Sequence, residues 1–191
     1  MAKAALYFIT GGVRSGKSRF AEQTAQEWAV KQHATLHYLA CGRVFDAEMA
    51  ERVNRHQEDR ENSPIPWKTW EFPTDIERIV DGINQDSVVL LDCLTTLVDN
   101  ELFTPQKPFE AEFLEEIFIK IMNGIEEIQR HAACLIIVSN EVIQEPIFHN
   151  EFLHTYAKML GLLHQDIVER ADAAYMVEWG IPVMKKGGKP I

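Results

Sequence analysis

Short apolar runs alternating with longer amphipathic stretches predict an α/β fold: a single domain over residues 1–191, with a mostly parallel central sheet covered by helices on both faces. Two local features support that class. The run Ala5-Leu6-Tyr7-Phe8-Ile9-Thr10 passes directly into the glycine-rich turn Gly11 to Ser18, and Val88-Val89-Leu90-Leu91 ends in an acid, Asp92. Parallel strands are buried on both faces and so read as unbroken apolar runs, and the ligands of such sheets gather beyond the carboxyl ends of the strands.

Taken in order, strands are expected at Ala5–Thr10, Thr35–Ala40, Trp67–Glu71, Val88–Asp92, Leu135–Ser139 and Ala173–Val177, with Ile181–Met184 pairing at an edge. Helices are expected at Lys17–Lys31, Ala47–Glu58, Thr74–Asn84, Phe109–His131 and Glu151–Arg170, where apolar residues recur every three or four positions. Asp46 and Thr74 fit as N-caps, and Phe20, Ala21 and Trp28 should face inward from the first helix. The stretch Arg60 to Pro66 is polar and contains prolines, and Thr104 to Pro108 follows a helical turn; both read as loops. Lys185 to Ile191 reads as a frayed basic tail.

At 191 residues, 46% hydrophobic and 25% charged, the chain can bury a sizeable core. Its formal net charge of −10 argues against coating nucleic acid or lying on a membrane surface, since both need a basic face, so a small anion must be captured locally. No apolar run approaches the ~20 residues of a membrane span, and the N-terminus enters the first strand with no signal-peptide layout, so the expected location is the cytosol. Cys41, Cys93 and Cys134 match no zinc spacing and sit in or beside apolar segments, which suits buried thiols.

Gly11-Gly12-Val13-Arg14-Ser15-Gly16-Lys17-Ser18 fits the phosphate-binding loop pattern in its proper context, after a strand and before a helix. Backbone N–H groups of the loop and the helix N-terminus then point at one polyphosphate. Gly11 and Gly16 bracket the turn, Lys17 supplies a point charge for the outer phosphates, and the Ser18 hydroxyl suits a magnesium ion. Asp92, at the end of its strand, would complete the Mg2+ site. Ser139-Asn140-Glu141 ends a further strand, so the three segments should converge on one crevice.

Arg55-His56-Gln57-Glu58-Asp59-Arg60 closes a charged helix. Two readings are open. His56 is either a solvated helix end favoured by the dipole, or a neutral imidazole placed to attack phosphorus while a guanidinium stabilises the developing charge. Spacing alone does not choose between them. The histidines at 33, 37, 131, 149, 154 and 164 have no cysteine or carboxylate at ligand spacing and are treated as surface or packing residues.

Read together, GGVRSGKS, RHQEDR followed by Trp67-Lys68-Thr69-Trp70-Glu71, LLDCLTTLVDN (residues 90–100) and VSNEV (138–142) resemble the bifunctional adenosylcobinamide kinase/adenosylcobinamide-phosphate guanylyltransferase family, in order and over nearly the whole chain. The resemblance implies a RecA-like P-loop domain, assembly as a homotrimer, and nucleotide and corrinoid substrates. It implies two reactions: phosphorylation of adenosylcobinamide by ATP or GTP, then transfer of GMP from GTP through a guanylylated histidine, which falls on His56. Lys17 and Ser18 would bind phosphates and magnesium, Glu71 and Asp92 would join the nucleotide site, and Arg14 and Arg60 are candidates to neutralise charge.

The chain departs from the family after Val142. Family members usually continue with a glycine-containing segment and an arginine-bearing helix, whereas here Ile143-Gln144-Glu145-Pro146-Ile147-Phe148-His149 lacks glycine, and His154, Ala157 and His164 stand where arginines and an asparagine are expected. Corrinoid recognition, or one of the two activities, is where an alteration would fall. Two rival functions stay open: another P-loop small-molecule kinase, and a nucleotide-binding regulatory protein without transfer chemistry.

Overall fold

Each face of one central sheet carries its own apolar layer. The computed structural model describes residues 4–42, 60, 63–103, 110–141 and 151–187. The expected helix over 47–58, with Asp46 and His56, the loop over 104–108 and the altered segment after Glu141 up to residue 150 lie outside the described residues. The strands are β1 (Ala5–Thr10), β2 (Thr35–Ala40), β3 (Trp67–Glu71), β4 (Ser87–Asp92), β5 (Cys134–Val138), β6 (Ala173–Glu178) and β7 (Ile181–Lys186). Their order is β3-β2-β4-β5-β1-β6-β7, every pair parallel except β6 with β7.

Alternation along the strands splits the core. On one face Ile9, Leu36, Val88, Leu90, Ile136 and Val138 meet α1 (Lys17–Gln32), whose Ala21, Ala25 and Ala29 recur at four-residue spacing. Small side chains there let the helix lie close to the sheet, with Phe20 and Trp28 packed at its flanks. On the other face Leu6, Phe8, Leu39, Val89, Leu91, Leu135 and Ile137 meet α2 (Leu94–Phe103), α3 (Ala111–His131) and α4 (Glu151–Arg170). Leu6, Leu39, Leu90, Leu91 and Leu94 are almost completely buried, each contributing about 1.5–3 kcal/mol of transfer free energy.

Three expectations need correction. The helix expected over residues 74–84 is a shorter 3-10 helix, Ile76–Gly82, and Thr74 does not cap it: Asp75 holds the cap position at φ 55° with no side-chain cap bond. The Asp75 N–H instead donates to Glu101 Oε1 at 3.1 Å, and Lys120 Nζ bridges Asp75 (2.6 Å) and the buried Glu101 (2.8 Å), pinning the turn to α2 and α3. Second, the helical turn expected before Thr104 is a full helix, α2, which runs ten residues and buries Leu94, Leu97, Val98 and Leu102. Third, Lys185 and Lys186 belong to β7 rather than to a tail. Lys186 Nζ donates to the carbonyls of Val168 (2.9 Å) and Glu169 (2.7 Å), satisfying the last turn of α4.

Candidate active site

The phosphate loop joins β1 to α1, and close contacts fix its shape. Gly11 has no room for a side chain, since a Cβ would collide with the Val177 carbonyl and lie 2.6 Å from Ser15 Oγ. Gly16 caps α1 at φ 92°, a left-handed conformation that glycine adopts without steric cost. Arg14 takes φ 61° despite its side chain and projects into solvent. The loop folds on itself through Ser15 N–H to the Gly12 carbonyl (3.2 Å) and the buried Lys17, whose Nζ donates to the same carbonyl at 3.2 Å. Ser15 Oγ is buried with no hydrogen-bond partner among the described residues. Together with the first N–H groups of α1, this hydroxyl lines a cup of donors, which fits a phosphate. Gly12 and Ser18 are half-buried on its rim, and Val13 is exposed.

Sheet order brings the other acids to the same end. β5 separates β1 from β4, so Asp92 stands two strand spacings, about 10 Å, from the end of β1. Glu141, just past β5, falls between them: it accepts Thr10 Oγ1 at 2.8 Å, and its N–H donates to the Gly11 carbonyl at 3.1 Å. The three segments therefore lie at the same end of the sheet. Glu71 ends β3 in register with Ala40 and Asp92, four spacings or about 19 Å from β1. It is exposed and beyond reach of a phosphate held in the loop.

Asp92 is held by a group that the sequence reading missed. The Tyr38 hydroxyl donates to Asp92 Oδ2 at 2.8 Å, and burial together with that carboxylate pushes the phenol well above its ordinary pKa, so it stays protonated as a donor. Over the Tyr38 ring, 3.7 Å from its centroid, lies the Arg60 guanidinium, which is itself buried and 3.5 Å from Glu22 Oε1 on α1. Arg60 is thus placed beside the loop's own helix. The signal for Tyr38 was weak because an aromatic inside TLHYLA reads as core; only the register of β2 with β4 sets it against Asp92.

A second network supports the crevice from below. Ser139 Oγ, fully buried, lies 2.8 Å from His164 Nε2 and 3.2 Å from Thr95 Oγ1, which accepts the Asn140 N–H at 2.8 Å. Burial lowers the His164 pKa, the Glu141 charge opposes that shift, and the ring packs edge-on against Phe8. His164 is a packing and positioning group here. His37 is likewise enclosed, accepting Trp70 Nε1 at 3.0 Å, and burial lowers its pKa to about 4.

A divalent ion fits the donor set. Ser18 and Asp92 offer only hard oxygen ligands, and Asp92 has one oxygen, Oδ1, not taken by Tyr38. Cys41, Cys93 and Cys134 are unbridged thiols whose pKa values burial raises, so they stay protonated.

Residues 7–185 match the sequence profile of a family described as cobinamide kinase / cobinamide phosphate guanyltransferase. Among curated proteins, the chain is 30% identical to the bifunctional adenosylcobalamin biosynthesis protein CobU of Escherichia coli over 188 residues, 95% of this chain and 99% of that one. The protein of the same name from Salmonella typhimurium matches at 30% with equal coverage. The bifunctional adenosylcobalamin biosynthesis protein CobP of Pseudomonas aeruginosa is 32% identical over 94% of this chain and 96% of its own length.

Proposed function

This chain belongs to the cobinamide kinase / cobinamide phosphate guanyltransferase family, and from that premise we propose that its one phosphate loop serves two successive transfers. The enzyme is a bifunctional transferase of adenosylcobalamin biosynthesis, a cobinamide kinase and a cobinamide phosphate guanylyltransferase. The observation that carries the two-transfer reading is the donor cup at Gly11–Ser18, whose buried Ser15 Oγ has no partner among the described residues, at the end of the sheet that carries Glu141 and Asp92.

In the first transfer, a hydroxyl oxygen of cobinamide attacks the γ-phosphorus of ATP or GTP, the bond to the β-phosphate oxygen breaks to release the nucleoside diphosphate, and the hydroxyl proton passes to water. Lys17 and the loop N–H groups stabilise the oxygens that gain charge. Ser18 and Asp92 would hold Mg2+, which when bound draws charge from the phosphates. In the second, His56 attacks the α-phosphorus of GTP and pyrophosphate leaves; a phosphate oxygen of the cobinamide phosphate then takes GMP from the histidine. Arg60, stacked on the Tyr38 ring beside Asp92, stabilises charge at this step. Arg14, exposed at the loop tip, is a second source of positive charge. Glu71, too distant for the loop phosphates, contacts the far end of a nucleotide. The family resemblance carries the further proposal that the chain works as a homotrimer in the cytosol.

The histidine step has a chemical signature. GTP labelled at the α-phosphate should leave an acid-labile, base-stable adduct on the protein, and His56→Ala should abolish it. An adduct that persists in the variant would reject His56 as the carrier.

A further inference from the structure

The β6–β7 hairpin turns through two residues, Trp179 and Gly180, between the paired Glu178 and Ile181. Both have positive φ, 50° and 78°, as a mirror-image hairpin turn requires. Asn-Gly satisfies such a turn without strain, whereas a bulky aromatic at the first position is a conformational outlier. The indole gains no burial in return: Trp179 is 91% exposed. Backbone strain of this kind is held by the surrounding structure and clusters at functional sites, and a large apolar side chain left in water marks an interaction surface.

The turn is fastened to the phosphate loop. Gly180 N–H donates to the Ser15 carbonyl at 2.7 Å, and a Cβ on Gly16 would stand 3.1 Å from Gly180 Cα. Because β6 runs parallel to β1, the turn lies at the same end of the sheet as the crevice. Other exposed apolar side chains share the region: Val13 (72%) in the loop itself, and Ile181 (63%) and Val183 (42%) along β7, alternating with Met184, which packs into the α1-side core.

We propose that Trp179, with Val13 and Ile181, forms an apolar platform for the corrin macrocycle of the acceptor, holding it while its hydroxyl reaches the nucleotide in the loop. This rests on the kinase reading above. The occupant follows from size and chemistry. Nucleotide phosphates take the loop's N–H groups and charged side chains, while the acceptor brings a broad macrocycle whose rim carries methyl groups among its amides and which must come to rest beside the same loop. A two-residue turn and one edge strand are small against the roughly 800 Å² per partner of a stable protein interface, so the patch does not by itself account for subunit assembly.

Trp179→Asn removes the indole yet supplies the residue that the turn prefers, so folding is not put at risk, and Trp179→Phe keeps a ring in place. Titration calorimetry of cobinamide into the full chain with a non-hydrolysable ATP analogue should show Trp179→Asn weakening cobinamide about tenfold, with Trp179→Phe near wild type. In steady-state assays the KM for cobinamide should rise and that for ATP should not. Unchanged cobinamide affinity in Trp179→Asn overturns the platform. So does an equal loss of nucleotide affinity, which would make the turn a brace for the loop, or a changed oligomer mass in light scattering, which would make it a subunit contact. If wild-type enzyme transfers no phosphate to cobinamide, the kinase reading falls and the platform with it; if wild type is active and Trp179→Asn matches it, the platform alone falls.

Discussion

Tyr38 donates its hydroxyl to Asp92 while its ring carries the Arg60 guanidinium, so removing one oxygen separates two contributions. Tyr38→Phe keeps the stacking surface and removes this donor from Asp92 Oδ2. A hydrogen bond to a charged group contributes about 1.5–3 kcal/mol, and part of that loss should appear as misplacement of the carboxylate rather than as unfolding. The expected result is a phosphoryl-transfer rate reduced about tenfold, with more magnesium needed for half-maximal activity, while Arg60 stays seated. An unchanged magnesium dependence would show that Tyr38 does not position a metal ligand. At this scale the loop was legible and its supports were not. Lys17 and Ser18 belong to a pattern written in consecutive residues, whereas Tyr38 with Asp92, Arg60 with Glu22 and Thr10 with Glu141 are joined only by tertiary packing and sheet register.

Among the elements, boundaries of β1, β2 and β3 coincide with the sequence expectation, because each is a short run closed by a glycine, polar or proline signal. α2 escaped although Leu94, Leu97, Val98 and Leu102 share one face, because it is only ten residues long and its other buried positions, Thr95, Asn100 and Glu101, are polar. The segment after β3 was read as α-helix on its apolar spacing, but Gly82 is pressed against the Trp70 ring and Asp75 is tied to Glu101. Glycines at two places therefore have opposite tolerance. A Cβ at Gly82 would collide with the Trp70 indole, so Gly82→Ala should destabilise by about 1–3 kcal/mol through overpacking. Gly161 lies inside α4 with nothing within 4 Å of a Cβ, so Gly161→Ala should stabilise by about 0.4–1 kcal/mol. Urea unfolding of the two variants measures both, and the same sign for the two would contradict the packing described.

For the whole molecule, alternation of runs was enough to give a parallel α/β sheet, but not its strand order. That order positions the site: with β5 between β1 and β4, Asp92 and Glu141 stand beside the loop at the carboxyl end of the sheet. A chain of net charge −10 repels nucleotides in general, so this end must supply local positive charge from Lys17, Arg14 and backbone N–H groups. The central claim is that one loop serves both transfers and His56 only the second. Enzyme given cobinamide and magnesium with GTP labelled separately at the α- and γ-phosphates tests it directly. Wild type should place both labels in one corrinoid product. Lys17→Ala should place neither there, and His56→Ala should still transfer the γ-label while leaving the α-label behind. A γ-label lost in His56→Ala, or an α-label retained in it, would contradict the account.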